Sequence, residues 1–316
     1  MGLDQKAVVV VTARLPSAVM ATLEDSVDTV LIESPLTPAA LQEQAPHAQG
    51  LVALLTDAVD ASLLDAAPEL RVVSNVAVGY NNIDLEAARA RGVVVTNTPD
   101  VLTDATADLA WALTMALTRR IAEGERLLRR GAWKGWALDF MLGRDVRGRQ
   151  MGIVGYGRIG RAVGARAESF GMRVVHAARG VGASDGGDAM PLDRLLATSD
   201  VVSLHVPLVE QTRHLIDQTA LARMKRTAYL VNTSRGPVVD EAALAWALRN
   251  RIIAGAALDV YEREPEVHPD LLDLENVLLV PHLGSATVET RTAMADLAAR
   301  NVVAVLGGQP ALTPVA

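Results

Sequence analysis

The sequence predicts an α/β fold made of two doubly wound units, each a parallel sheet flanked by helices. Two observations carry this reading. Short runs rich in Val and Ile alternate with longer stretches of helical period, the pattern of parallel strands joined by crossover helices. The runs also form two series, and the second opens on a glycine-rich turn set between a strand and a helix, Gly155-Tyr156-Gly157-Arg158-Ile159-Gly160.

In the first series, strands are expected near residues 7–12, 29–32, 51–55, 71–74 and 93–96, with helices between them. Pro99 then punctuates the chain. Thr103 or Asp104 can cap a long helix that places Leu109, Leu113, Leu117 and Ile121 on one face, and such a helix could link two domains. The second series starts at Met151 and continues near 173–177, 201–205, 228–232, 254–258 and 277–280, a separate doubly wound unit. The glycine-rich stretch 180–187 reads as a surface loop. A last helix is expected over about 288–306, with Met294, Leu297 and Val302 among its apolar positions.

Bulk properties narrow the function classes. A chain of 316 residues exceeds what one hydrophobic core usually organises, so two domains are expected. Half the residues are apolar, yet the apolar runs stop far short of the roughly 20 residues that cross a bilayer, so no membrane span is expected. The start, Met1-Gly2-Leu3-Asp4-Gln5-Lys6, lacks the regions of a secretory signal, and a cytoplasmic location is the default. The absence of cysteine removes disulfides, thiolate metal sites and cysteine nucleophiles together, and no metal is expected. A net charge of -7 argues against a general nucleic-acid binder, which needs a basic surface to displace phosphate counterions.

The glycine-rich turn is the first motif that carries chemistry. Gly155 permits the tight turn, Gly157 lets backbone approach a pyrophosphate, and Gly160 allows close packing of helix on strand, while the helix N-terminus stabilises the anion. A dinucleotide is the implied ligand. NAD-selective sites usually place Asp or Glu at the end of the next strand to bind the ribose hydroxyls. Here that strand ends His176-Ala177-Ala178-Arg179, with no carboxylate, and Arg179 can pair with a 2′-phosphate instead. NADP(H) is therefore the expected cofactor, with NAD(H) use left open.

Three later segments place polar residues just past the ends of expected strands, where open α/β sheets bind their ligands. They are Asn232-Thr233-Ser234-Arg235-Gly236, then Asp259-Val260-Tyr261-Glu262-Arg263-Glu264-Pro265, and His282-Leu283-Gly284-Ser285. Reduction of a 2-oxo acid needs a cation for the substrate carboxylate, a proton donor for the oxygen that becomes hydroxyl, and a hydride source facing the carbonyl carbon. Arg235 can supply the first through its fork of donors. His282 can supply the second, because an imidazole both gives and recovers a proton near neutrality. Glu264 beside it would favour the imidazolium and fix the ring, leaving Asp259 to orient the nicotinamide end of the cofactor. Taken singly, each residue reads as readily as a solvated charge or a loop residue. Their succession after consecutive strands, downstream of a dinucleotide turn, is what points to catalysis.

At these residues the chain resembles the D-isomer-specific 2-hydroxyacid dehydrogenase family, over nearly its whole length. The family's dinucleotide turn resembles 155–160, its Arg, Glu and His match Arg235, Glu264 and His282, and its nicotinamide-side Asp matches Asp259. The resemblance implies two Rossmann-like domains, with residues 1–99 and 288–316 forming a substrate domain and 100–287 an inserted dinucleotide domain. It also implies a homodimer. Segments 76–84, 98–107 and 281–287 look most like the glyoxylate and hydroxypyruvate reductases. By the same resemblance, the backbone at Val78 and Gly79 would hold the substrate carboxylate together with Arg235, while Leu54, His282, Ser285 and Phe140 would border the substrate. Thr106, Val206, Pro207, Thr212, Thr233 and Gly284 would join the turn residues Tyr156, Arg158 and Ile159 around the cofactor. In some relatives a Trp from the partner subunit closes the pocket, and the matching position here is Phe140. NADP-preferring members resemble this chain at Arg179.

Other readings stay open at this point. Formate and phosphite dehydrogenases share the architecture. Formate enzymes carry Gln where this chain has Glu264, and phosphite oxidation would show as phosphite-dependent reduction of the cofactor. A nucleotide-sensing corepressor with the same fold is the alternative from another class. The net acidity and the lack of interaction tails count against it.

Overall fold

The computed structural model describes residues 6–177 and 188–315. They divide into two compact units, Met1–Leu102 with Thr287–Ala316, and Thr103–Ala286.

In the first unit, β1 (Val8–Val11), β2 (Asp28–Leu31), β3 (Gly50–Ala53), β4 (Val72–Asn75) and β5 (Val94–Thr96) form a parallel sheet in the order β2-β1-β3-β4-β5. The crossovers are α1 (Ser17–Ser26), α2 (Pro38–Gln44), α3 (Ala61–Asp65) and α4 (Leu85–Ala90). The run of valines in β1 is buried on both sides because successive side chains alternate between the two faces of the sheet. Val9 and Val11 pack with Leu23, while Val10 packs with Leu41, Leu63 and Ala88. Helix starts are fixed locally: the side chains of Thr37, Asp60 and Asp84 each accept an N–H of the first turn that follows.

In the second unit, a long helix α5 (Thr103–Thr118) and a shorter one, α6 (Ile121–Arg129), precede the sheet. The expected single face through Ile121 is corrected here. Arg120 adopts a left-handed φ of 56°, α5 ends at Thr118, and Ile121 is 57% exposed at the start of α6. The Thr114 and Thr118 hydroxyls bond back to the carbonyls of Ala110 and Thr114, a local competition that weakens the helix toward its end. The side chain of Arg120 is then held by Glu123 on α6.

The strands β6 (Gln150–Val154), β7 (Arg173–Ala177), β8 (Asp188–Ala189), β9 (Val201–Leu204), β10 (Tyr229–Asn232), β11 (Gly255–Leu258) and β12 (Val277–Leu279) are parallel, in the order β12-β11-β10-β9-β6-β7-β8. Helices α7 (Arg158–Ser169), α8 (Leu192–Thr198), α9 (Gln218–Arg223), α10 (Glu241–Arg249) and α11 (Pro269–Leu272) cover the two faces. Met151, Ile153, Val174, Val231 and Ala257 face α5 and α7, and Val175, Val202, Leu204, Leu230 and Ala256 face the opposite core. The chain runs outward from β6 to β7 and β8, then returns to lay β9 on the other flank of β6. The strand order therefore reverses between β6 and β9, and the C-terminal ends of these strands form the crevice where such sheets take ligands. The two-residue β8 has no counterpart among the strands expected from sequence, and the surface-loop reading of 180–187 lies outside the described residues.

The last helix, α12 (Val288–Leu306), belongs to the first unit and packs Ala298 and Val302 on the same face as Val9 and Val11. Beyond it the chain doubles back beside β5, where Thr96 and Pro314 form an antiparallel bridge and the Val315 N–H reaches Val95 O at 2.8 Å.

Candidate active site

The phosphate turn joins β6 to α7. Gly155 has φ of 94°, and a Cβ there would stand 2.7 Å from the carbonyl of His205 and 2.8 Å from Val206 N, so only glycine fits where the turn meets the loop after β9. Gly157 is the N-cap of α7, has no side-chain cap and faces open space, while a Cβ on Gly160 would overlap the Gly155 carbonyl. The first N–H groups of α7 are thus left without a capping side chain at an open surface, the arrangement an anionic pyrophosphate needs. Arg158 is exposed at the helix start and Ile159 packs inward. The Tyr156 ring turns away from the turn and stacks on His176, which leaves the backbone of Tyr156 as its contribution to the turn. Arg179 lies outside the described residues.

Along the crevice, Thr212 is nearly buried. Its hydroxyl donates to Pro207 O at 2.7 Å and accepts from Val209 N at 2.9 Å, shaping the loop that carries Val206 and Pro207. Thr233, just after β10, has a buried hydroxyl with no hydrogen-bond partner among the described residues. A buried orphan hydroxyl is costly. It fits a polar ligand atom, so the donor set suits a dinucleotide. The Thr106 hydroxyl donates to Gly284 O at 3.1 Å, which ties α5 to the loop after β12.

The three segments after β10, β11 and β12 meet in one cluster. Asn232 at the end of β10 folds the first: its Oδ1 accepts from Ser234 N at 3.0 Å and Ser234 Oγ at 2.8 Å, and its Nδ2 donates to Arg235 O at 3.0 Å. A Cβ on Gly236 would overlap the backbone of Tyr261 and Glu262, so the first and second segments are in backbone contact. Glu264 places Oε2 2.8 Å from His282 Nδ1, and its Oε1 accepts from Tyr261 N at 3.0 Å. Burial pushes the Glu264 carboxyl up, but the His282 hydrogen bond and charge, the Tyr261 N–H and Arg235 outweigh it, and the group lies below the ordinary carboxylate range. Arg235 is held the other way: burial lowers its pKa, and Glu264 opposes that.

His282 has φ of 51°, a strained conformation for a non-glycine residue. Asp259 over-determines it. The His282 N–H donates to Asp259 O at 2.9 Å, and the Asp259 carboxylate accepts from Leu283 N and from Gly284 N at 2.9 Å. Both oxygens of Asp259 are therefore engaged with the His282 loop, and burial pushes this carboxyl above its ordinary range. With Nδ1 on Glu264, the Nε2 of His282 has no partner among the described residues, and Ser285, three residues on, is half-buried.

Leu54, Val78 and Gly79 belong to the first unit, past the ends of β3 and β4, where Asn82 holds Leu54 O, Asn97 holds Val78 O and Asn75 holds Gly79 O. Phe140 lies 40% exposed in the second unit, within 132–142, with its N–H on Ala137 O. Two positioning side chains were missed from sequence. Asn232 carries a signal, an Asn at a strand end with Ser two residues on, the pattern of an Asx turn. Tyr261, whose hydroxyl donates to Val280 O at 2.9 Å and Leu258 O at 3.2 Å, carries none. A cavity of about 290 Å³, bordered by Arg120, Glu123, Tyr229 and Val277, sits at the opposite, N-terminal edge of this sheet, away from the cluster.

The sequence pattern of the D-isomer specific 2-hydroxyacid dehydrogenase NAD-binding domain matches residues 111–284. The chain is 49% identical to the glyoxylate reductase of Korarchaeum cryptofilum over 311 residues, 95% of this chain and 93% of that protein. The chain belongs to the D-isomer specific 2-hydroxyacid dehydrogenase family. Solved structures of the family agree with the fold. The TT0316 protein from Thermus thermophilus superposes with a TM-score of 0.93 at 43% identity, covering 98% of this chain and 100% of that one. An NADPH-dependent glyoxylate/hydroxypyruvate reductase from Sinorhizobium meliloti, in complex with NADP and malonate, gives 0.88 at 37% identity over 99% of this chain and 97% of that one. As a 2-hydroxyacid dehydrogenase, the protein is an NAD(P)-dependent oxidoreductase acting on a small 2-oxo acid by hydride transfer. Among the described residues, no helix is long and apolar enough to cross a membrane.

Proposed function

We propose that this dehydrogenase reduces glyoxylate or hydroxypyruvate with NADPH, and that Arg235, Glu264 and His282 do the chemistry. The observation that carries this reading is the 2.8 Å contact of His282 Nδ1 with Glu264, with Arg235 beside the same carboxylate. When bound, the cofactor supplies the hydride. Arg235 offers its fork of donors to the substrate carboxylate, and Glu264 holds the imidazolium form and the orientation of His282. His282 Nε2 then delivers its proton to the carbonyl oxygen as it becomes hydroxyl. Asp259 fixes the backbone beneath the ring, and residues of the 155–160 turn with Thr233 and Thr212 hold the dinucleotide. The NADPH preference rests on Arg179 and on the missing acid after β7. The relatives named for glyoxylate reduction support the substrate class.

The test is a spectrophotometric panel of small 2-oxo acids against NADPH and NADH. Glyoxylate or hydroxypyruvate should be turned over with NADPH, and His282→Ala should lower kcat by about 100-fold or more, the usual weight of a general acid. Near-normal kcat in that variant refutes the acid role. Arg179→Ala should weaken use of NADPH selectively, and equal losses with both cofactors refute phosphate recognition. Phosphite-dependent cofactor reduction, with no turnover of 2-oxo acids, would replace the substrate reading. The exposed Trp133, Trp136, Leu138 and Phe140 on 132–142 support a homodimer, since apolar side chains gathered on one segment mark a covered surface. Light scattering of the purified protein should give twice the chain mass.

A further inference from the structure

Glu241 opens α10 and is 3% exposed, yet the chemistry above gives it no task. A carboxylate taken from water must be satisfied where it lies, and here backbone does so. Its Oε1 accepts the backbone N–H of Glu262 at 2.7 Å, and Oε2 accepts that of His268 at 3.2 Å. These two residues bracket the segment that carries Glu264. The same segment is wedged from the Arg235 side by Gly236 and is tied internally by Tyr261 N on Glu264 Oε1. Glu241 therefore grips both ends of the stretch from which Glu264 meets His282.

We propose that Glu241 is a positioning residue of the active site, which acts through the backbone of 262–268 to set where Glu264 presents its carboxylate to His282. The inference rests on the reading of Glu264 and His282 as the acid pair. Its physical basis is distance dependence: a hydrogen bond between charged partners weakens steeply once donor and acceptor separate or tilt. Loosening the bracket leaves the imidazolium with a poorer counter-charge, although no group touching the substrate has changed. The charged groups around the pair are few. Asp259 and Glu264 face His282, Arg235 faces Glu264, and Glu262 and His268 face Glu241, with His214 paired to Glu262.

The experiment compares the full-length parent with Glu241→Gln, Glu264→Gln and the double variant. The readouts are kcat and KM for glyoxylate with NADPH, and the Kd for NADPH in the same proteins. Glu264→Gln should lower kcat by about 100-fold, the weight of a disabled acid pair. Glu241→Gln should lower kcat by about threefold to tenfold through the displaced carboxylate, with KM and the NADPH Kd nearly unchanged. The double variant should fall no further than Glu264→Gln, as expected for residues acting through one contact. Glu241→Asp, which keeps the charge but cannot span both N–H groups, should reproduce the loss and serves if the glutamine variant does not fold. An unchanged kcat in both Glu241 variants, or losses that add to that of Glu264→Gln, while Glu264→Gln itself is impaired, overturns this proposal alone. An unchanged kcat in Glu264→Gln refutes the pair, and the proposal falls with it.

Discussion

The ring of Tyr156 lies 4.1 Å from that of His176, with 4° between their planes. Tyr156 is the middle residue of the phosphate turn, and His176 sits on β7 beneath it. The Arg161 guanidinium stands 5.3 Å from the same tyrosine ring, and Gly164 on α7 leaves room for its hydroxyl, which a Cβ at that position would approach to 3.3 Å. The stack ties the turn to β7. Burial, with help from Arg161, holds His176 below the ordinary imidazole range, so the ring is neutral at pH 7.

His176→Ala should remove a stacking contact worth about 0.5–1.5 kcal/mol and raise the cofactor Kd by about 2- to 10-fold, with kcat nearly unchanged. His176→Phe should restore most of the affinity. Fluorescence titration with NADPH measures both. A fall in kcat at constant Kd would show that the stack does not act through the cofactor.

In the first unit, Asn301 is fully buried and ties the C-terminal tail to α12. It donates to Leu297 O at 2.9 Å and Thr313 Oγ1 at 2.8 Å, and accepts from Leu312 N at 2.9 Å and Thr313 N at 3.0 Å. Asn301→Ala removes four bonds, of which that to Leu297 O is buried and the three to the tail are part-buried, at about 0.5–1.5 kcal/mol each, with losses that do not simply add. The variant should lose several degrees in Tm, and amides near 312–315 should lose hydrogen-exchange protection first. Unchanged protection of the tail would show that its pairing with β5 holds without Asn301.

What the sequence made legible follows from periodicity. The inner strands announce themselves because both faces of a parallel sheet are buried and the chain there is mostly apolar, whereas the edge strand β2, exposed at both ends, shows only through its short run of Val30 and Leu31. The turn at 155–160 is legible because glycine is demanded by backbone contact, and the three polar segments because each follows a strand. The end of α5 was not, since Arg120 is a long polar residue in a left-handed conformation that no pattern of apolar spacing reports. The tail beside β5 was missed for a similar reason: Leu312 and Thr313 read as loop, and both are held by Asn301, eleven and twelve residues away. Glu241 looked like an ordinary acidic residue in the first turn of a helix. Its partners are backbone N–H groups, which have no sequence signature.

Gly236 tests the contact between the Arg235 turn and the Glu264 segment. A methyl group there would overlap backbone of Tyr261 and Glu262, which cannot move as a flexible side chain can. Gly236→Ala should therefore displace the segment and lower kcat/KM by about 100-fold, the scale on which misplaced catalytic groups cost rate. NADPH affinity, which depends on the turn at 155–160, should change little. The check is paired measurement of kcat/KM and cofactor Kd. An active variant would mean that the segment holds its place without the close approach at Gly236.

His205 gives the unit a pH dependence of its own. It follows β9, its Nε2 lies 2.8 Å from Ser203 Oγ, and its backbone borders Gly155. Burial pushes the imidazole down to about 4 from an ordinary 6.5. The folded protein therefore keeps this ring neutral where the unfolded chain already binds a proton. Because the unfolded state holds more protons between those values, stability must fall as pH drops from about 6.5 to about 4, and the contribution is whole above 6.5. At 1.36 kcal/mol per unit the loss has an upper bound of about 3 kcal/mol. His205→Gln, which keeps a polar partner for Ser203 but cannot take up the proton, should flatten that part of the profile. Urea unfolding of parent and variant at pH 7, 6, 5 and 4.5 measures the difference. Parallel curves over that range would show that His205 is not held neutral by the fold.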